Sequence, residues 1–158
     1  MESYVGKDTP KLGFGLMRLP KGDDGKFDRE QTRQMVDRFM AAGLTYFDTA
    51  YVYNDGDSER VAKEVLVDRY PRESYTLATK LCAWMGAHDA ESARQQFYTS
   101  LERTGAGYFD YYLLHDVGAH HYEIYKELDC FTWIAEKKKQ GLIRHMGFSF
   151  HDNAEFLD

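Results

Sequence analysis

Apolar residues along this chain follow two alternating rhythms. Short dense runs read as strands: LGFG (12–15), LTYFD (44–48), YTLATK (75–80), DYYLLH (110–115) and LIRHMGFS (142–149). Between them, apolar residues recur at helical spacing. Met35, Val36, Phe39 and Met40 mark one helical face, with Asp28 placed to cap it, Ala42 near its end and Gly43 as its stop. Val61, Ala62, Val65 and Leu66 mark a second, opened by Asp57 or Ser58 and closed before Pro71. Ala93, Phe97 and Leu101 mark a third, from Asp89 to near Gly105. Ile124, Leu128, Phe131 and Ala135 predict one long helix ending at Gly141, and Asp152 is placed to cap a further one.

Strand and helix thus alternate with a period of roughly 30–35 residues, the size of a strand–helix–strand unit. Such helices are long enough to serve as crossovers, so the strands are expected to be parallel. Two α/β architectures fit, a doubly wound open sheet or a run of (β/α) barrel units. Neither GxGxxG nor GxxxxGK[ST] occurs, which favours the barrel.

Composition narrows the function classes. The chain has 158 residues, 43% of them hydrophobic, enough for one domain (1–158) with a real core. Its net charge of −6 argues against non-specific nucleic-acid binding. The run Lys137–Lys138–Lys139 reads as a solvated helix end that suits the C-terminal dipole. No apolar run approaches the roughly 20 residues of a membrane span. The opening MESYVGKDTP has no apolar leader core. Two cysteines, Cys82 and Cys130, form no CxxC, so reduced thiols in a cytoplasmic protein are expected.

The strand ends carry the chemistry. Asp48, Lys80, His115 and Ser149 close four successive apolar runs, and Tyr53 follows in a loop. In a parallel sheet these ends share one edge, where α/β folds build their sites. Taken singly, each has a plainer explanation. Asp48 could bond only backbone, Lys80 could be solvated, His115 could be a satisfied core histidine, and Tyr53 is one of 12 tyrosines. Their convergence is what counts. A carboxylate keeps a neighbouring ammonium charged, and a charged ammonium beside a phenol favours the phenolate. A phenol so placed can exchange a proton near neutral pH, with a histidine orienting a carbonyl oxygen. This set suits carbonyl reduction with hydride from a cofactor. A metal site is the rival, from His115–Asp116, His120–His121 and His151–Asp152. A central lysine and tyrosine suit a divalent cation poorly.

These residues resemble a known family. FDTAYVY (47–53) followed by SERVAKEVL (58–66) resembles the signature of the aldo-keto reductases, and LATK (77–80) and YLLH (112–115) sit where that family carries its lysine and histidine. LGFGLMRLP (12–20) resembles its first strand and loop, and KKQGLIRHMGFS (138–149) its fifth-strand region. The resemblance implies a TIM (β/α)8 barrel, here a partial barrel of about five parallel strands, and reduction of a small aldehyde or ketone by NADPH or NADH. It implies Tyr53 as general acid, Lys80 and Asp48 as its support, and His115 at the substrate carbonyl. Ser149 would meet the nicotinamide carboxamide, the backbone around Gly15 to Arg18, with Met17, would approach the cofactor ribose, and Asp48 would count among the cofactor-binding residues as well.

The match has departures. Where many members have Asn after the fifth-strand serine, this chain has Phe150 and then His151–Asp152. GFSFHD with FGLMRLP resembles a bacterial branch whose longer members carry a ferredoxin-like iron–sulfur domain, but two isolated cysteines are too few for a cluster. A complete barrel takes about 250 residues. Five strands would leave two open edges and uncovered apolar faces, so self-association, completion by a C-terminal segment, or flattening into an open sheet is expected. A truncated half-barrel without catalysis, acting as an association module, is the alternative function. Met17, Trp84, Met85 and Val117 could line a substrate pocket, although core packing explains each equally well.

Overall fold

The computed structural model describes residues 9–157. Residue 158 and residues 1–8, most of the stretch read above for a leader, lie outside the described residues. Five strands, β1 (Gly13–Gly15), β2 (Tyr46–Asp48), β3 (Thr76–Leu81), β4 (Phe109–Leu114) and β5 (Ile143–Phe148), form one sheet in the order β1-β2-β3-β4-β5. Every neighbouring pair is parallel. A doubly wound sheet reverses its strand order at a switch point. This sheet has no reversal, so right-handed crossovers carry every helix to the same side, as in a barrel.

The helices are α1 (Arg29–Ala41), α2 (Asp57–Ala62), α3 (Ala90–Thr104), α4 (Tyr122–Glu127), α5 (Cys130–Lys139) and α6 (Ala154–Leu157). The core lies between them and one face of the sheet. Phe47, Leu77, Leu81, Tyr112 and Leu114 point to that side and are buried with Val36, Val61, Leu66, Phe97 and Ile134. Edge-to-face aromatic contacts fasten α1 to the sheet through Phe39 and Phe47, and α3 through Phe97 and Tyr112. Because side chains alternate along a strand, Asp48 and Lys80 emerge on the opposite face. The register sets Asp48 beside Ala78 and Lys80 beside Leu113.

At the other end of the strands, a buried carboxylate ties three of them together. Asp110 of β4 accepts from the Leu77 amide of β3, from Arg72, and from Arg144 of β5. Arg72 also lies 3.8 Å from the centre of the Tyr108 ring. β1 and β5 are the sheet edges. On the helix side of β5, Met146 and Phe148 are 39% and 49% exposed.

Several local expectations are corrected. Asp28 does cap α1, accepting from the Gln31 amide at 2.8 Å, but Met35 is exposed and Thr32 joins Val36 inside. Neither Asp57 nor Ser58 caps α2. Gly56, with φ of 82°, precedes it, and buried Ser58 instead donates to the Leu16 carbonyl. α2 then runs into a π turn over Lys63–Val67. The expected long helix splits into α4 and α5 at Asp129, whose φ of 53° is left-handed, a state aspartate tolerates better than most residues. Asp152 is not a cap. Its carboxylate accepts from the Ala119 amide, and Asn153 accepts from Phe156 at the start of α6. Lys137 is not solvated either. It is buried, donates to Gln140, and lies over the Trp133 and Tyr98 rings.

Candidate active site

The site is built at the strand ends. β2 delivers Asp48, and the chain then turns through Thr49 and Ala50 into a loop that carries Tyr53 back over the sheet. Thr49 is buried and shares a 2.7 Å hydrogen bond with Ser58, so the loop is anchored to α2 at its base. A short 3-10 turn, Tyr53–Gly56, closes it, with Asn54, Asp55 and Gly56 all at positive φ. Asn54 donates to the Met17 carbonyl at 3.1 Å, tying this loop to the end of β1.

Lys80, from β3, lies at the centre and is 4% exposed. Its ammonium donates to Asp48 Oδ1 at 2.5 Å, to the Thr49 carbonyl at 2.8 Å, and to the Tyr53 hydroxyl oxygen at 3.2 Å. An ammonium has three N–H donors, and all three are engaged. Because Lys80 donates to the phenol oxygen, the phenol's own proton is free for another acceptor. Tyr51 plays no such part: its ring lies on the Arg103 guanidinium and its carbonyl accepts from it. Tyr46 lies two residues before Asp48 on β2. Burial, and then the Asp48 charge, push its pKa well up.

His115 directly follows β4, and its ring meets the Tyr53 ring edge to face at 5.4 Å. Its backbone is fixed: the His115 carbonyl accepts from Trp84 Nε1 and from the Tyr125 hydroxyl. Burial, reinforced by the Lys80 charge, lowers the His115 pKa from 6.5 to about 4. The ring is therefore neutral at neutral pH, one nitrogen a donor and the other an acceptor. Its buried Nδ1 has no protein partner. Trp84 stacks on His121 at 4.5 Å, and His121 Nδ1 lies 2.9 Å from the Asp116 carbonyl. Ser149 directly follows β5, and its hydroxyl accepts the Asp116 amide at 2.8 Å. Met17 and Arg18 are exposed just beyond β1. Met85 is exposed near Trp84, whereas Val117 is buried.

The structure thus brings Asp48, Lys80, Tyr53 and His115 into one group, with Ser149 on the adjoining strand end. It sets Met17 and Arg18 at the end of the first strand. Among the described residues, no three His, Cys, Asp or Glu side chains gather into a set that could hold a metal ion. Glu59 and its partner Arg103 went unread in the sequence. Glu59 is fully buried, accepting from Thr79 Oγ1 at 2.7 Å and Arg103 at 3.3 Å. A signal existed: Glu59 lies three and seven residues before Ala62 and Leu66, on the inner face of its helix.

Comparison with known proteins decides the lineage. The model of the aldo/keto reductase family matches residues 11–158. The chain belongs to the aldo-keto reductase family. Relatives within the family include an aldo-keto reductase of Mycobacterium sp. (strain MCS), 31% identical over 153 residues, covering 96% of this chain and 48% of that protein. An uncharacterized oxidoreductase of Schizosaccharomyces pombe is 31% identical over 149 residues, covering 88% of this chain and 46% of its own length. Among solved structures, an aldo-keto reductase of Klebsiella pneumoniae in complex with NADPH superposes with a TM-score of 0.74 at 26% identity, over 94% of this chain and 48% of that one. The chain spans about half the length of these relatives.

Proposed function

We propose that this chain carries the proton-transfer group of a carbonyl reductase, with Tyr53 as the general acid. One observation carries the reading: Lys80 donates to the Tyr53 oxygen while held by Asp48 and the Thr49 carbonyl. The ammonium charge stabilises a developing phenolate, and the free phenol proton is available to a substrate oxygen. Asp48 offsets the cost of holding an ammonium that is almost wholly buried. His115, kept neutral, orients the carbonyl by a hydrogen bond rather than competing as the acid.

A nicotinamide cofactor, when bound, supplies the hydride. The residues present suit its carboxamide end. Ser149 Oγ already accepts from the Asp116 amide, so its own proton is free to donate. Met17 and Arg18 stand exposed at the end of β1 for the ribose side. That the Klebsiella relative was solved with NADPH supports NADPH here, with NADH as the other candidate. The substrate is a small aldehyde or ketone. Aldehyde-dependent loss of NADPH absorbance by the intact protein tests the reading; its absence across aliphatic and aromatic aldehydes, with either cofactor, overturns it.

A second reading rests on a different observation. β1 and β5 are open edges, and Met146 and Phe148 are exposed beside the last of them. Such a sheet suits an association module that keeps the site by descent. Light scattering with cofactor titration separates the two: a stable oligomer without cofactor binding favours the module.

A further inference from the structure

We infer that Glu59 and Arg103 form a buried strut that positions Tyr53 against Lys80; this rests on the reductase reading above. Neither residue touches the Tyr53–Lys80 pair, yet together they join the two segments that carry it. Glu59 is fully buried, and one of its oxygens accepts from Thr79, the residue next to Lys80 on β3. Its other oxygen accepts from Arg103 at the end of α3. Arg103 in turn donates to the Tyr51 carbonyl at 3.0 Å, two residues before Tyr53, and its guanidinium lies 4.5 Å from the centre of the Tyr51 ring.

The far end of the loop rests on the same group. A Cβ on Gly56 would stand 2.5 Å from the Arg103 guanidinium carbon, so any other residue here would displace that guanidinium. Residues 51 and 56 are thus both set on Arg103, and Tyr53 lies between them. Burial raises the Glu59 pKa against the hydrogen bonds it accepts. Charged residues are ordinarily solvated, so a carboxylate held at that cost calls for specific partners. Its two partners explain the placement: one reaches the strand of Lys80, the other the loop of Tyr53.

The test uses Glu59→Gln, Arg103→Met and the double variant in the intact protein. In the first arm, each single variant lowers kcat for aldehyde reduction by about 100-fold, the scale of a misplacement near 1 Å, while KM for NADPH stays within a few-fold. The double variant is no worse than the poorer single one, because the two act as a unit. In the second arm, ring carbon-13 labelled tyrosine is followed by NMR, with Tyr53 assigned from Tyr53→Phe. The Tyr53 signal shifts or broadens in both variants while those of core Tyr112 and Tyr125 hold. Glu59→Gln, nearly isosteric, answers even if Arg103→Met fails to fold. An unmoved Tyr53 signal in folded Glu59→Gln overturns the strut. A protein that reduces no aldehyde overturns the reductase reading instead, and the NMR arm still decides whether the strut exists.

Discussion

The Lys80 ammonium stands 3.2 Å from the Tyr53 hydroxyl oxygen and 4.7 Å from the centre of its ring. Two segments separated by 27 positions in sequence meet there, with the lysine giving the hydrogen bond. The proposed role of Tyr53 as general acid rests on this contact.

Removing the charge while keeping the bulk tests that arrangement. Lys80→Met in the intact protein is expected to lower kcat for aldehyde reduction by roughly 100-fold or more, since the phenol loses its electrostatic support. Steady-state kinetics beside a cofactor titration check it, and NADPH affinity should change far less than kcat.

His115 makes stability depend on pH in a defined window. Its folded pKa, about 4, lies below its ordinary value of 6.5, so between these the unfolded chain binds the extra proton. Stability from this group is fully present above about 6.5 and is lost as pH falls towards 4. For one proton the slope is at most about 1.4 kcal/mol per pH unit. Urea denaturation from pH 7 to 4 should show a shallower fall in His115→Gln than in the parent. Parallel curves would mean that His115 is not buried neutral.

The carboxylate at the other end of the strands is expected to matter for folding rather than turnover. Asp110→Ala leaves Arg72 and the Leu77 amide without their buried acceptor, at a cost of about 3–5 kcal/mol. Arg144→Ala, removing a partner that is 54% exposed, costs under about 1 kcal/mol. Thermal melts of the two variants give the contrast directly.

Burial pushes the Cys82 thiol up to about 12 and the Cys130 thiol up to about 11. Both should resist iodoacetamide at pH 8 in the native protein and react in guanidinium, a difference that mass spectrometry counts. Native labelling of either would show that its segment opens readily.

Much of this design was legible along the chain. Asp48, Lys80, His115 and Ser149 each interrupt an apolar run at a point where a strand must end, and a parallel sheet has only one edge for them to share. The alternation alone fits a doubly wound sheet as well as a barrel, and it is the resemblance to the aldo-keto reductases that points to the barrel-type order the sheet shows. What stayed hidden depended on single side chains. Asp129 breaks a helix with neither glycine nor proline, by taking a left-handed backbone that the apolar spacing of Ile124, Leu128 and Phe131 does not register. Ser58 reads as a cap but is spent on Leu16 and Thr49. Lys137 reads as solvated, yet its ammonium lies over the Trp133 ring, a contact that local charge counting misses. Glu59 looks like one more charge in SERVAKEVL, and only its partners on β3 and α3 reveal why it is buried.

Tyr53→Phe in the intact protein, assayed by aldehyde-dependent NADPH oxidation, tests the central assignment most directly. Phenylalanine keeps the ring beside His115 and removes only the hydroxyl that Lys80 reaches. Turnover is expected to fall by roughly 100- to 10,000-fold with cofactor binding kept. Turnover equal to that of the parent protein would contradict Tyr53 as the general acid.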